Sequence, residues 1–380
     1  HFSPKLGGND YLYITSKNIR FGHLDISSAQ RIDSIQHRAI YNRCDVKLGD
    51  VLLTKDGANT GNAALNSLNE EFSLLSSVAF LRFHPEKHSA GYFLQQILTS
   101  LVQRQIQDVM TGNAITRLTL EKINNLRFPV PPTKAEQKTI AEALSDADAL
   151  IEALEQLIAK KRQVKQGAMQ ELLTGNKRLP GVNGAWEVKR LDAVAEIFSG
   201  GTPSTNRPEF WDGEIPWCTP TDITALNGSK YLAQTARTIT PQGLKASAAA
   251  LIPANSVVMT SRATIGECAI NSAPVATNQG FKNFVPFPKT DGEFLYYLLQ
   301  MKKQGFIGLC SGSTFLEIGK TQLASFEIEL PQEKSEQTAI AAILSGMDAE
   351  LATLESKLVK ARSIKQGMMQ ELLTGRIRLV

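Results

Sequence analysis

The sequence repeats itself at a fixed offset of 200 residues, and this repeat limits what the chain can fold into more than any other feature. Lys165-Gln166-Gly167 and Met169-Gln170-Glu171-Leu172-Leu173-Thr174-Gly175 return as Lys365-Gln366-Gly367 and Met369-Gln370-Glu371-Leu372-Leu373-Thr374-Gly375. Upstream, Pro131, Lys134, Glu136, Gln137, Ile140, Ala141, Leu144 and Ser145 return as Pro331, Lys334, Glu336, Gln337, Ile340, Ala341, Leu344 and Ser345. One ungapped register matches far more positions than chance gives. The chain is therefore two copies of one unit. Its function uses two similar sites, or two different sites on one symmetrical frame.

A weaker match extends the repeat. Val51-Leu52-Leu53-Thr54 with Gly61 resembles Val257-Val258-Met259-Thr260 with Gly266. Tyr13-Ile14-Thr15 before Asn18-Ile19 resembles Trp217-Cys218-Thr219 before Asp222-Ile223. Gly91-Tyr92-Phe93-Leu94 resembles Gly292-Glu293-Phe294-Leu295. Each unit thus has a long variable part followed by a well-kept part of about fifty residues. A repeat kept only for stability should diverge evenly, whereas these copies diverge most where a binding surface would lie.

The well-kept part has helical periodicity. Ile140, Leu144, Ala147, Ile151, Leu154 and Ile158 follow one another in steps of four and three, and Ile340, Leu344, Met347, Leu351, Leu354 and Leu358 do the same. Such spacing is a coiled-coil seam. Thr133-Lys134-Ala135-Glu136 predicts a capping box at the first helix start. Each helix should run for about 40 residues, or about 60 Å. A seam this narrow needs one partner helix, and the two copies supply each other as an antiparallel pair. Lys165 and Lys365 continue the seam register, so packing there should turn polar. Leu172-Leu173 and Leu372-Leu373, before Gly175 and Gly375, should close the helix ends with apolar surface.

The variable parts alternate short apolar runs with turn signals. Asp50–Thr54 and Val78–Phe83 are strand candidates in the first, with a helix from Gly91 to Gln107 placing Phe93, Leu94, Ile97, Leu98 and Leu101 on one face. In the second, Ser256–Thr260 and Phe281–Pro286 are strand candidates and a helix runs from Glu293 to about Gln304. Both parts read as α+β. The expected domains are residues 1–128, a central helix over 129–179, residues 180–330, and a C-terminal helix over 331–380. The segment from Trp186 to about Glu214 has no counterpart in the first copy, so the first domain is expected to lack its N-terminal part.

Composition narrows the function classes. No apolar run approaches the roughly 18–20 residues that span a bilayer. The four cysteines, Cys44, Cys218, Cys268 and Cys310, form no C-x-x-C pair. They are expected as free thiols in a reducing cytoplasm. A net charge of +4 is only mildly basic. No catalytic signature emerges. Gly319-Lys320-Thr321 has the end of a P-loop, yet Thr314 stands where its first glycine belongs. His84 and His88 flank Pro85 without a third ligand, which favours a surface turn over a metal site. Glu355-Ser356-Lys357 lies in the helical heptads. Neither a metal nor a cofactor is expected on this chain.

Polar, glycine-bearing loops carry the candidate chemistry. In the first unit they hold Lys17, Asn18, Lys55, Asn59, Thr60 and Asn113; in the second, Thr202, Ser204, Arg262, Thr264, Asn278, Gln279, Lys282 and Ser313. Arg, Lys, Asn and Gln read base edges, while Ser, Thr and backbone N–H groups hold phosphates. Each residue alone is also ordinary turn chemistry. Their recurrence at related places in both units is what makes them a candidate DNA-binding set.

With this plan in view, the chain resembles the specificity subunit of type I restriction–modification enzymes. The resemblance rests on the paired Pro-x-x-x-x-Glu-Gln helix starts and the paired Lys-Gln-Gly…Leu-Leu-Thr-Gly helix ends. Gly201-Thr202-Pro203-Ser204, Thr260-Ser261-Arg262…Ile265-Gly266 and Thr277-Asn278-Gln279-Gly280-Phe281 add to it. Ala263 stands where that family commonly has glycine, and in the first unit Ser76-Ser77 replaces a clean Thr-Asn-Gln-Gly. The resemblance implies two pseudo-symmetric target-recognition domains joined by two long helices forming an antiparallel coiled coil. Each domain would read one half of an asymmetric bipartite site in double-stranded DNA. The helices would dock methyltransferase subunits, two of them, which bring S-adenosylmethionine and methylate adenine. A motor-nuclease subunit using ATP would complete the restriction enzyme. Two other readings compete: the recognition portion of a self-sufficient restriction–methylation enzyme, and a coiled-coil scaffold that binds only protein.

Overall fold

The computed structural model describes residues 4–110, 117–182, 184–310 and 317–379. The chain divides into two compact units, His1–Gln156 with Glu355–Val380, and Leu157–Leu354. Along the first unit come β1 (Tyr11–Ile14), β2 (Gln30–Ile32), α1 (Ser34–Tyr41), β3 (Val51–Thr54), β4 (Ala63–Leu65), β5 (Ser73–Leu74) and β6 (Val78–Leu81). Then follow α2 (Ala90–Ile97), α3 (Ser100–Met110), α4 (Leu120–Asn124) and the long helix α5 (Lys134–Leu172). The strands make two small sheets of order β2-β1-β5 and β4-β3-β6.

The second unit opens with β7 (Trp186–Arg190), β8 (Ala195–Ser199), β9 (Trp211–Cys218), α6 (Pro220–Ala225), β10 (Tyr231–Leu232), β11 (Arg237–Ile239) and α7 (Pro241–Lys245). It continues through β12 (Val257–Thr260), β13 (Cys268–Asn271), β14 (Ala276–Thr277), β15 (Phe281–Pro286), α8 (Gly292–Met301), α9 (Lys303–Gly308), α10 (Lys320–Ala324) and β16 (Glu327–Pro331) to the long helix α11 (Lys334–Leu372). Its sheets run β11-β9-β14 and β10-β13-β12-β15-β8, with a β16-β7 ribbon. The repeat is legible in topology. A central strand pairs antiparallel on one side and parallel on the other both in β2-β1-β5 and in β11-β9-β14. The order β4-β3-β6 returns as β13-β12-β15.

Both long helices span 39 residues, close to the predicted length, and each unit holds a part of each. In both units the two helices run antiparallel. In the first, Lys365 pairs with Asp148 and Arg362 with Glu155 at 2.5 Å; in the second, Lys165 pairs with Asp348 and Lys161 with Glu350 at 2.7 Å. The seam lysines are thus answered by carboxylates, as the register predicts.

Burial along the seam is uneven. Ile140, Leu144, Ile340 and Leu344 are fully buried, Ile158, Leu351 and Leu354 nearly so, while Ile151, Leu154 and Leu358 are half-buried. A single partner helix does not account for this. Ile140 and Leu144 pack with Leu372 and Leu373, and also with Tyr92 and Phe93 of α2. Ile340 and Leu344 share a core with Leu172, Leu173 and the aromatic face of α8. The globular parts therefore cover the starts of the long helices.

Three local expectations need correction. The helix predicted over 91–107 breaks at Leu98–Thr99, where Thr99 Oγ1 caps Val102 N–H at 3.3 Å. The new helix buries Val102 and Ile106 and leaves Leu101 exposed. Its counterpart also breaks, at Lys302, where no side chain caps the new helix. At the start of α5, Thr133 Oγ1 accepts from the Glu136 N–H at 3.2 Å. The Glu136 carboxylate does not turn back to complete a capping box; it accepts from Arg378 Nε at 2.6 Å and Nη2 at 2.7 Å.

One hairpin loop recurs in both units, closed by the same backbone bond. Gly61 N–H donates to Thr54 O and Gly266 N–H to Thr260 O, both at 2.9 Å. Within the loop Gly57 has φ +94° and Ala263, at the matching place, φ +56°. A left-handed conformation costs an alanine about 1–2 kcal/mol and costs glycine none.

Three outcomes follow from this packing. Leu144→Ala should cost about 2–5 kcal/mol in urea unfolding, as a fully buried leucine does, and Leu154→Ala about 1 kcal/mol; equal costs would contradict the uneven seam. Ala263→Gly should leave stability unchanged or raise it by up to about 1 kcal/mol, and Ala263→Val should lower it by about 1–2 kcal/mol. The Arg378 guanidinium holds the Glu136 carboxyl below its ordinary 4.5. A depressed folded value gives stability that is present above the unfolded value and lost as pH falls through the folded one. Arg378→Met should therefore lower the melting temperature at neutral pH and flatten its fall below about pH 4.5. A parallel downward shift of the whole acid limb would refute the linkage.

Candidate nucleic-acid interface

In the second unit four chain segments meet at one edge of the large sheet. Ser261 N–H donates to Gly280 O at 2.7 Å, and Ile318 N–H donates to Ser261 O at 3.2 Å. Gly200 and Gly201 lie against the same edge. Gly200 N–H reaches Phe281 O at 3.2 Å and Gly201 N–H reaches Thr277 O at 2.9 Å. A Cβ on Gly200 would lie 1.8 Å from Asn278 O, and one on Gly201 2.2 Å from Ala249 N. Both glycines are therefore required by close backbone approach rather than by a turn.

Several predicted residues come together here. The Thr202 hydroxyl bonds the Gln279 side chain. Asn278 Oδ1 accepts from Gly280 N–H at 2.9 Å, folding the loop into an Asx turn. Arg262 is exposed and paired with Glu317 at 2.9 Å. Lys282 buries its stem beside them; burial pulls its ammonium below the ordinary lysine value, with Glu317 opposing and Arg262 and Lys320 adding to the fall. Ser204 and Thr264 are exposed on neighbouring loops. Ser313, in the Ser311-Gly312-Ser313-Thr314 loop, lies outside the described residues.

The first unit builds the matching edge. Lys55 N–H donates to Ser77 O at 2.8 Å and Leu118 N–H to Lys55 O at 3.0 Å. Lys55 thus stands at the place of Ser261, and Ser77 at that of Gly280. Asn59 Nδ2 reaches Ser16 O at 3.4 Å, and Thr60 Oγ1 closes its turn on Gly57 O at 2.7 Å. Lys17 is exposed. Asn113, in the Thr111-Gly112-Asn113-Ala114 loop, lies outside the described residues. Asn18 is 2% exposed, and its amide serves the fold. Its Oδ1 accepts from Thr15 N–H at 2.9 Å and its Nδ2 donates to Asp25 O at 3.0 Å. Asp222 holds Thr219 in the same way, at 2.7 Å. Asn18 therefore braces its loop from within.

The two edges carry opposite charge patterns on one backbone. Asp56 in the first unit pairs with Arg117 at 2.9 Å and with Lys55 at 3.1 Å; Arg262 in the second pairs with Glu317. Both pairs also form isolated β-bridges, Asp56 with Arg117 and Arg262 with Glu317. Sequence reading missed Arg117 and Glu317, because no local pattern links partners so far apart. It also missed Arg178 and Arg378, although both stand at the offset of 200. Among the described residues, no helix is long and apolar enough to cross a membrane, and no group of three His, Cys, Asp or Glu could hold a metal.

The chain is similar to known proteins. A family model described as type I restriction modification DNA specificity domain matches residues 5–163 and again 183–361. The type I restriction enzyme MjaIX specificity subunit of Methanocaldococcus jannaschii is 38% identical over 165 residues, covering 43% of this chain and 38% of that protein. The putative type I restriction enzyme MjaX specificity subunit of the same organism is 25% identical over 373 residues, covering 94% of this chain and 84% of that protein. The crystal structure of the type I restriction–modification system S subunit from M. genitalium shares the fold, with a TM-score of 0.61 at 15% identity over 96% of this chain and 88% of that one. The two matches of the family model cover most of the sequence, once in each copy of the repeat, and the chain belongs to the type I restriction modification DNA specificity domain family.

Proposed function

We propose that this chain reads DNA for a type I restriction–modification complex and performs no catalysis itself. Each globular part reads one half of an asymmetric bipartite site. The observation that carries this reading is the paired loop edge: one hydrogen-bonded backbone, presented twice, bearing different polar and charged side chains. A frame held constant while its exposed groups change is what two unlike sequence readers need. Lys17, Lys55, Asn59, Thr60, Thr202, Ser204, Arg262, Thr264, Asn278, Gln279 and Lys282 are the side chains offered to bases and phosphates. Arg262 exchanges Glu317 for DNA when it binds, at little cost, because an exposed pair is worth about 0–1 kcal/mol.

The long helices serve as docking surfaces for methyltransferase subunits. Large apolar side chains stand exposed along both: Leu150, Val359 and Ile364 in the first unit, Leu157, Val164 and Ile343 in the second. Exposed apolar surface of this kind marks a protein contact. The partners bring S-adenosylmethionine and methylate adenine, and a motor-nuclease subunit adds restriction. Modest charge on this chain fits that arrangement, because several subunits share phosphate neutralisation.

Replacing residues 180–330 with the second domain of another family member, in the complex with its methyltransferase subunits, should rewrite one half of the methylated motif and leave the other intact. Sequencing of methylated genomic DNA checks this. A change in both halves would show that the domains do not read independently, and loss of salt-dependent DNA binding by the wild-type complex would favour a protein-only scaffold.

A further inference from the structure

We propose that Arg237 in the second unit and Gln30 in the first occupy one equivalent position that fixes a base in each half-site, guanine for Arg237 and adenine for Gln30. This rests on the DNA-reading function proposed above. The equivalence comes from strand register. Arg237 of β11 stands opposite Trp217 of the central strand β9, and Gln30 of β2 stands opposite Tyr13 of the central strand β1. Both are exposed.

Arg237 is held as a reading side chain should be. Its guanidinium lies 3.8 Å over the Trp211 ring and 5.4 Å from that of Trp217. The rings themselves meet edge to face, 5.0 Å apart at 84°. Stacking uses the face of the guanidinium and leaves its in-plane N–H groups for a partner. Among the described residues no carboxylate takes them. By contrast Arg190, Arg207 and Arg262 are paired with Asp192, Glu209 and Glu317. The same tryptophans hold the candidate DNA loop: Trp217 Nε1 donates to Gly201 O at 3.0 Å and Trp211 Nε1 to Ser204 O at 3.1 Å. One rigid aromatic cluster thus positions both the Gly201–Ser204 loop and the free edge of Arg237.

Gln30 faces the loop that follows the central strand β1. With Tyr13, Thr15, Ser16 and Lys17 it lines an open cleft of about 510 Å³. Among the described residues its amide makes no hydrogen bond. The chemistry then separates the two domains. An arginine fork donates twice to guanine O6 and N7. A glutamine amide donates to adenine N7 and accepts from its N6.

The test uses the full chain with its methyltransferase subunits and reads the methylated motif by sequencing. Arg237→Gln should lower selection for guanine at one position of the second half-site by about tenfold to a hundredfold, in favour of adenine. Gln30→Arg should do the reverse in the first half-site only. If Arg237→Gln fails to accumulate, Arg237→Lys keeps a cation over the tryptophans without the fork, and should relax the same position. Methylation of an unchanged motif at lower efficiency in these variants would reduce Arg237 and Gln30 to packing residues and overturn the proposal while leaving DNA reading intact. A wild-type complex that directs methylation to no specific motif would overturn the function itself, and this assignment with it.

Discussion

Each long helix starts on a buried carboxylate, and most of the frame follows from how that charge is answered. Glu336 is 1% exposed and Glu136 6%. A carboxylate so placed needs a matched cation, because an unpaired buried charge is strongly unfavourable. Within the first unit Arg378 supplies two hydrogen bonds to Glu136, and within the second Arg178 supplies two to Glu336, at 2.8 and 2.9 Å. Each arginine lies three residues past a glycine with positive φ, Gly375 at +75° and Gly175 at +72°. The left-handed glycine turns the chain off the helix end, and the arginine then reaches the start of the other helix. The residue after each glutamate completes the joint. Gln137 Oε1 accepts from the Ser89 N–H at 3.0 Å and Gln337 Oε1 from the Asp291 N–H at 2.9 Å. These are the N-caps of α2 and α8. The Glu-Gln starts and the Leu-Leu-Thr-Gly ends are therefore two halves of one device.

How much of this the sequence discloses depends on the range of the signal. The long helices, the polar break at Lys165 and Lys365, and the apolar closure at Leu172-Leu173 and Leu372-Leu373 were legible because each is a local or periodic pattern. The strands ending at Thr54 and Thr260 were legible because the repeat marked them, though their hairpin partners β4 and β13 were not. The α2–α3 break was not, because Phe93, Leu94, Ile97, Leu98 and Leu101 suit one continuous face; Thr99 ends the helix by a side-chain cap that competes with the backbone ladder. The capping box at Thr133 failed for a tertiary reason. Its glutamate had a stronger partner in Arg378, far away in sequence, and a charge-assisted pair outweighs one bond to a backbone N–H.

The candidate site was legible as residue types and loops, less so as geometry. Asn18 has the side chain of a base reader, yet its burial and its bonds to Thr15 and Asp25 make it a loop brace. Arg237 was invisible, because its distinction comes from a stack on Trp211 set up by strand register. No one-dimensional pattern records which face of an arginine is occupied.

The distribution of divergence between the copies follows from dielectric surroundings. At the helix joints Glu136 and Glu336 are almost fully buried, and both copies keep the same acid and the same base in the same places. Reversing either residue alone would bury two like charges, a large cost in a low-dielectric setting. At the loop edge the corresponding pair is half in solvent, with side chains 25% and 46% exposed for Asp56 and Arg117 and 46% and 39% for Arg262 and Glu317. There a single replacement costs about 1 kcal/mol or less, so the two positions can change one after the other. The copies have reversed that pair without disturbing the β-bridge beneath it. The joints are thus locked by burial and the reading edge is released by exposure, which lets one frame carry two different surfaces.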